Sequence, residues 1–124
     1  MELELAGRNL FVAGASRGIG LGIAETFLGE GARVLLSGRD AGVLGEAAAR
    51  LRATHGERVA EHAGDMTATA DIAEALDATV AAFGPLDAVV ANVGGGYLRP
   101  GWDVADEDLD AALTHNLTGT IRLV

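Results

Sequence analysis

The chain has 124 residues, of which 49% are hydrophobic, and its formal net charge is −9. This composition predicts one folded domain with its own core, and such an acidic surface argues against binding the phosphate backbone of nucleic acids. Because the chain contains no cysteine and its histidines, at positions 55, 62 and 115, lack ligand spacing, we expect neither a disulfide nor a metal site.

The N-terminus and the apolar runs carry no targeting or membrane signal. Acidic residues stand among the first apolar ones in MELELAGRNL, which is unlike a secretory signal. No apolar run approaches the roughly 20 residues that a membrane span requires. These features predict a cytoplasmic protein with no membrane contact.

Strand and helix patterns alternate in the first half of the chain. Residues 9–13 form an apolar run typical of a strand, and residues 18–28 have helical spacing. The apolar face of this predicted helix consists of Ile19, Ile23, Ala24 and Phe27. Glycines end the helix, and residues 33–37 are predicted as a second strand. Asp40 is expected to cap a second helix, which ends near Gly56.

The second half of the chain repeats this alternation. Residues 58–62 are predicted as a strand, and Thr69 as the cap of a helix over residues 71–83. Residues 86–91, LDAVVA, are predicted as a strand buried on both faces of a sheet, because they form a continuous apolar run. A fourth helix begins in the acidic segment DEDLD, and its apolar stripe consists of Leu109, Leu113, Leu117 and Ile121.

The order of these elements predicts an α/β fold with a parallel sheet, because short strands separated by helices are joined by right-handed crossovers. No repeat, low-complexity tract or linker divides the chain. The sequence ends within the fourth predicted helix, without a capping residue or a helix breaker. We therefore expect it to be interrupted at that point.

The segment AGASRGIG, residues 13–20, joins the first predicted strand to the first predicted helix. Gly14 permits a tight turn, and Gly18 and Gly20 leave the first amide groups of the helix open to a ligand. These N–H groups and the helix dipole favour a diphosphate, and Ser16 can add a hydroxyl donor. The strand–turn–helix context predicts nucleotide binding, with a purely structural turn as the alternative.

Four segments, in order, resemble the short-chain dehydrogenase/reductase family. The glycine turn resembles the signature T-G-x-x-x-G-I-G, with Ala13 in place of threonine, and Asp65-Met66 follow the third strand, where the family has an acid. ANVG at 91–94 is similar to N-N-A-G, and HNLTG at 115–119 is similar to N-x-x-G. The resemblance implies a Rossmann-like sheet of strand order 3-2-1-4 with helices on both faces, truncated after the fourth helix. Residues 1–124 would then be a dinucleotide-binding domain that is incomplete at its C-terminus.

The resemblance also implies roles for individual residues. Asp65 corresponds to the acid that receives the adenine amino group, and the backbone carbonyl of Asn116 corresponds to one that positions a water in a proton relay. Asn116 is therefore the catalytic candidate. Asp65 as a turn cap, Asn92 as a bridge between backbone groups and Asn116 as a satisfied core amide are the structural alternatives. The candidate cofactor-binding residues are Gly14, Ser16, Arg17, Gly18, Ile19, Gly20, Arg39, Asp65, Met66, Asn92 and Gly94.

The end of the second predicted strand bears on the choice of cofactor. Gly38 stands where dinucleotide-binding folds often place an acid for the ribose hydroxyls, and Arg39 follows it. A guanidinium can bind a 2′-phosphate through two hydrogen bonds, and Arg17 corresponds to the family's second basic residue. The pair favours NADP(H) over NAD(H). The alternative leaves both arginines in solvent and assigns the ribose to Asp40.

The residues that carry the family's chemistry are missing from this sequence. The family needs a tyrosine with a lysine four residues later and a serine, which together move a proton while hydride moves at the nicotinamide. This chain has no lysine, its one tyrosine is Tyr97, and its only serines are Ser16 and Ser37. We therefore expect the NADP(H)-binding portion of an oxidoreductase. Only the complete enzyme would act on a small carbonyl or alcohol substrate, and we expect the full-length form to be a homo-oligomer.

Two other functions stay open at this point. The first is a stand-alone nucleotide-binding or regulatory module without catalysis, which would fold and bind its nucleotide as the 124-residue chain. The second is a Rossmann-like methyltransferase that binds S-adenosylmethionine. That enzyme would need an acid at the end of the second strand, which Gly38 and Arg39 do not supply.

Overall fold

A computed structural model describes residues 2–94 and 104–124 of the chain. Within them, parallel strands form one four-stranded sheet in the order β3-β2-β1-β4. The strands are β1 (Asn9–Ala13), β2 (Arg33–Gly38), β3 (Val59–Ala63) and β4 (Ala88–Ala91). The predicted Rossmann-like α/β fold and its strand order are confirmed.

Helices connect the strands. They are α1 (Gly18–Gly29), α2 (Ala41–His55), α3 (Thr69–Phe83), α4 (Asp106–Leu113) and α5 (Gly119–Leu123). A short 3-10 turn, Gly56–Arg58, precedes β3, and a π-helical turn, Thr114–Thr118, joins α4 to α5. None of the described helices is long and apolar enough to cross a membrane.

The core has two layers, one on each face of the sheet. Alternate residues of β1 point to opposite faces, so that Leu10 and Val12 pack with residues of α1 and α2. Phe11 and Ala13 pack on the other face with residues of α3 and with Leu123 of α5. All of β1 is buried, as expected of a central strand covered by helices on both sides.

Helix α1 buries most of the predicted face but not its first residue. Ala24 is buried, and Ile23 and Phe27 are half-buried and pack against the core, whereas Ile19 is 77% exposed. Gly20 and Leu28 are buried as well. A Cβ at Gly20 would overlap the carbonyl oxygen of Gly14. The first turn of the helix therefore lies against the backbone of the preceding turn, and only glycine fits there. The small residues face the sheet because this close approach fixes the orientation of the helix.

Of the two residues predicted to cap helices, one forms a cap in the structure and the other does not. Asp40 caps α2 as predicted, since its Oδ1 accepts hydrogen bonds from the amides of Gly42 at 2.9 Å and Val43 at 3.1 Å. Thr69 does not cap α3, because it is already the first helical residue and Ala68 holds the cap position. The Asp71 carboxylate in the first turn favours the positive end of the helix dipole instead.

Strand β4 is shorter and more exposed than predicted. Ala88 is exposed and the other three residues are half-buried, so the strand is not buried on both faces. Within the described residues β4 pairs with β1 alone and forms an edge of the sheet. Asp87 lies before the strand, and its side chain accepts a hydrogen bond from the amide of Asn9 at 2.8 Å.

The stripe predicted for the fourth helix is exposed. Leu109, Leu113, Leu117 and Ile121 are 51%, 46%, 53% and 62% accessible. The residues that pack inward are Gly119 and Leu123. Asn116 is exposed as well, so its interpretation as a buried core amide is wrong. Tyr97 lies outside the described residues.

Candidate functional site

The carboxyl ends of the strands open into one cleft of about 470 Å³. In open parallel sheets ligands bind at this edge, where the connections leave the sheet in opposite directions. The sheet order places that point between β1 and β4. The lining residues are Gly14, Ser16, Arg17, Gly38, Arg39, Asp40, Gly64, Asp65, Met66, Thr67, Asn92, Val93, Gly94 and His115.

Most of the candidate residues from the sequence meet in this cleft. Those that line it are Gly14, Ser16, Arg17, Arg39, Asp65, Met66, Asn92 and Gly94. Gly18, Ile19 and Gly20 begin α1 beside the cleft without lining it, and Asn116 follows the lining residue His115. The fold therefore brings together segments that are far apart in sequence.

Gly14 and Asn92 join the first turn to the end of β4. Gly14 has a φ of 66°, a conformation that favours glycine, and a Cβ there would overlap the carbonyl oxygen of Asn92. The Asn92 side chain donates a hydrogen bond from Nδ2 to the Gly14 carbonyl oxygen at 3.1 Å. The amide thus bridges two backbone segments, as its structural interpretation requires, and it also lines the cleft.

The N-terminus of α1 lies beside the cleft without a side-chain cap. Arg17 holds the cap position but its side chain forms no cap, and no other described side chain bonds to the first amides of the helix. Gly18 has a φ of 59°, and a Cβ there would meet no atom within 4 Å. These N–H groups and the positive end of the helix dipole suit an anionic ligand.

Two arginines line the cleft, one after β1 and one after β2. Arg17 and Arg39 are exposed, and no described residue accepts a hydrogen bond from either guanidinium. Oδ1 of the neighbouring Asp40 is engaged by the N-terminus of α2. A Cβ at Gly38 would lie 3.1 Å from Cβ and Oγ of Ser16, which leaves little room for an acidic side chain at that position.

Asp65 holds its carboxylate in a defined position. Its Oδ1 accepts hydrogen bonds from the hydroxyl of Thr67 at 2.6 Å and from the amide of Thr67 at 2.9 Å. These bonds lower the pKa of Asp65, and the charges of Arg39 and His115 lower it further against the opposing effect of burial. Oδ2 accepts no hydrogen bond from residues 2–94 or 104–124, so it is available to a ligand.

The π-helical turn between α4 and α5 contributes His115 and Asn116. His115 lines the cleft, and π-helical turns are common at functional sites. Nδ2 of Asn116 donates to the carbonyl oxygen of Ala112 at 3.0 Å. A Cβ at Gly94 would lie 2.6 Å from Oδ1 of Asn116, so this side chain lies against the end of the ANVG segment.

Sequence reasoning missed Thr67 and His115. The pattern Asp-x-Thr at 65–67 could have indicated a side-chain turn, since short polar side chains often bond to the amide two residues on. No sequence pattern indicated His115, because the three histidines lack ligand spacing. Among the described residues no group of three or more His, Asp or Glu side chains could hold a metal ion.

The chain is similar to known dehydrogenases and reductases. The profile of a family described as short chain dehydrogenase matches residues 8–124. A 2,3-dihydroxy-2,3-dihydro-p-cumate dehydrogenase of Pseudomonas putida is 38% identical over 115 residues, which cover 93% of this chain and 44% of that protein. An NADP-dependent (R)-specific alcohol dehydrogenase of Lentilactobacillus kefiri is 36% identical, with 96% of this chain and 46% of that protein covered.

Solved structures share the same architecture. The L-sorbose reductase of Gluconobacter frateurii, determined with NADPH and L-sorbose, has a TM-score of 0.91 and 32% identity. The match covers 99% of this chain and 47% of that one. The chain thus spans somewhat under half the length of the relatives named here.

Proposed function

The chain belongs to the short-chain dehydrogenase family, and on that premise we propose that it is the NADP(H)-binding portion of an oxidoreductase. The complete protein would transfer hydride between the nicotinamide and a carbonyl or alcohol group. Residues 1–124 would be its dinucleotide-binding domain, with the tyrosine, lysine and serine of the family supplied by further sequence. The coverage of relatives supports this proposal, as does the absence of lysine from the chain.

The residues of the cleft fit a dinucleotide. The open amides at the start of α1 suit a diphosphate, and the free oxygen of Asp65 suits an amino group on a purine. Met66 supplies an apolar side chain beside that acid, and Gly94 lines the same cleft at the end of β4. When bound, the cofactor supplies the hydride; the residues described here bind and orient it.

One observation carries the preference for NADP(H) over NAD(H). Arg17 and Arg39 both line the cleft with no hydrogen-bond acceptor among the described residues, and Gly38 offers no carboxylate that would repel a 2′-phosphate. Two guanidinium groups that donate no hydrogen bond to residues 2–94 or 104–124 match a phosphate dianion in charge. The methyltransferase alternative lacks its acid at Gly38, and the family match argues against it.

Asn116 is proposed to act through its backbone carbonyl, which would hold a water in the proton relay of the complete enzyme. Its side chain donates to the carbonyl oxygen of Ala112, within the same helical segment. The earlier expectations of a cytoplasmic location and of a homo-oligomer in the complete protein stay predictions. A stand-alone binding module is the second candidate, and the family membership of the chain does not favour it.

The activity is tested on the protein expressed from its complete coding sequence. NADPH oxidation is followed by absorbance with a panel of ketones and aldehydes, and the 124-residue chain is assayed in parallel. We expect turnover by the complete protein and none by the chain alone, since general acid–base groups contribute about 10²–10⁴-fold. If the chain alone shows turnover and Tyr97→Phe abolishes it, the proposal that further sequence supplies the catalytic groups is refuted.

A further inference from the structure

The loop between β3 and α3 forms hydrogen bonds with side chains of two helices, α3 and α5. The backbone N–H of Asp65 donates to Oδ2 of Asp71 in α3 at 2.7 Å. Nη1 of Arg122, in α5, donates to the carbonyl oxygen of Thr67 at 2.7 Å, across 55 residues of sequence. Both anchors carry charge, and hydrogen bonds of this kind are stronger than neutral ones. The loop, residues 64–68, is thus held at Asp65 and at Thr67.

Thr67 transmits this anchoring to the Asp65 carboxylate. Its hydroxyl and its amide both donate to Oδ1 of Asp65, at 2.6 Å and 2.9 Å. Its carbonyl is the group that Arg122 holds. Fixing the Thr67 peptide therefore fixes the rotation of the carboxylate and the direction in which Oδ2 points.

Helix α5 lies close enough to Thr67 to make this bond because of a glycine. A Cβ at Gly119 would lie 2.8 Å from Cγ2 of Thr67, closer than real Cβ contacts permit. Gly119 closes the HNLTG segment, so its small size lets the helix approach the loop. Arg122 follows on the same helix and is not among the residues that line the cleft.

We propose that Arg122 is a positioning residue for base recognition, which holds Thr67 so that Oδ2 of Asp65 meets an amino group of the bound base. The proposal rests on the proposed function, because it requires a purine dinucleotide in the cleft. Arg122 acts through Thr67 and touches neither the cofactor nor the reacting atoms. A purely structural bond would instead change the affinity for every dinucleotide alike.

The test compares two cofactors that differ at one group of the base. NADP(H) carries adenine, whereas its hypoxanthine analogue has an oxygen in place of the 6-amino group and cannot donate to Asp65. Both are titrated calorimetrically into the complete protein, and the affinity ratio is the readout. The variants are Arg122→Gln, which is too short to reach Thr67, and Arg122→Lys, which keeps a charged donor of similar length.

A matched control comes from the opposite face of the sheet. Arg50 is an exposed residue of α2 that makes no hydrogen bond or salt bridge to a described residue, and Arg50→Gln removes the same charge. Arg122 is itself exposed, so we expect all variants to fold, with circular dichroism as the check.

We expect wild type and Arg50→Gln to prefer the adenine cofactor by about ten-fold or more, the effect of one charge-assisted hydrogen bond. Arg122→Gln should bring the ratio close to one, and Arg122→Lys should restore most of it. An unchanged ratio in Arg122→Gln, an equal loss for both cofactors, or no preference in wild type would overturn the proposal. Wild type that binds NADP(H) no more tightly than NAD(H) would instead contradict the proposed cofactor preference.

Discussion

Asp65 shows how a single acidic residue is prepared for a ligand. One carboxylate oxygen is occupied by two donors from Thr67, and the other has no donor among the described residues. The Thr67 bonds, followed by the charges of Arg39 and His115, hold the pKa of Asp65 below its ordinary value. The lowered pKa favours the ionised carboxylate, which acts only as an acceptor.

Thr67→Val removes the hydroxyl donor, the largest cause of the lowered pKa, and keeps the amide donor. We expect the pKa of Asp65 to rise toward its ordinary value, as measured by NMR titration of the carboxyl carbon. Because the folded pKa is lowered, the stabilisation by the ionised group is complete above the ordinary value of about 3.9. It is lost as the pH falls through the folded pKa.

The loss of stability in Thr67→Val should accordingly be present at neutral pH and shrink below that window. Thr69→Val is the control, because Thr69 is exposed and forms no side-chain hydrogen bond to a described residue. A pKa of Asp65 that stays the same in Thr67→Val would show that the hydroxyl bond does not set it.

At the scale of elements, the path from β1 into α1 depends on a close approach of two backbone segments. Gly20 in α1 lies over the Gly14 carbonyl, and Nδ2 of Asn92 would be 2.7 Å from a Cβ at position 20. The turn, the helix and the end of β4 are thus fitted together without space for a methyl group. The same glycines leave the helix N-terminus open on its outer side.

Gly20→Ala should therefore destabilise the protein by about 1–3 kcal/mol, the usual cost of overpacking, and weaken dinucleotide binding. Gly22→Ala is a matched control in the same helix, because a Cβ there meets nothing within 4 Å. It should stabilise the protein by about 0.5–1 kcal/mol, since alanine loses less backbone entropy in a helix. Denaturant unfolding measures both, and equal stabilities would refute the packing argument.

Strands and helices could be predicted from the sequence where local patterns of residues determine them. The positions of β1 and of α2 with its Asp40 cap follow from hydrophobic runs and capping chemistry, which are local. In α1 the placement of Ile19 in the core was wrong, because the close approach at Gly20 that orients the first turn is a tertiary contact. The cluster of Asp65, Thr67 and Arg122 could not be predicted either, because α5 meets the β3–α3 loop only in the fold.

At the scale of the whole molecule, the chain exposes apolar surface along α4 and α5. The side chains of Leu109, Leu113, Leu117 and Ile121 repeat at every fourth residue and are about half exposed or more. Strand β4 is an edge strand within the described residues. Unpaired strand edges and contiguous apolar patches both promote association between molecules.

We expect the 124-residue chain expressed alone to self-associate or to fold poorly. The double variant with Leu113→Glu and Leu117→Glu should reduce the association. The stripes of two associated molecules would then place like charges against each other. The control is Ala49→Glu, because Ala49 is an exposed residue of α2 whereas Val43 in the same helix is half-buried. A monodisperse, cooperatively melting monomer of the unmodified chain, in light scattering and calorimetry, would contradict this expectation.

Arg17 and Arg39 are proposed to give the cleft its preference for NADP(H). The direct measurement is calorimetric titration of the complete protein with NADPH and with NADH, in wild type, Arg39→Ala and the control Arg50→Ala. One charge-assisted phosphate contact is worth about 1.5–3 kcal/mol. We therefore predict that Arg39→Ala weakens NADPH binding by about ten-fold or more and leaves NADH binding nearly unchanged, while Arg50→Ala changes neither. An equal loss for both cofactors in Arg39→Ala, or wild-type protein that binds NADH as tightly as NADPH, would contradict this preference for NADP(H).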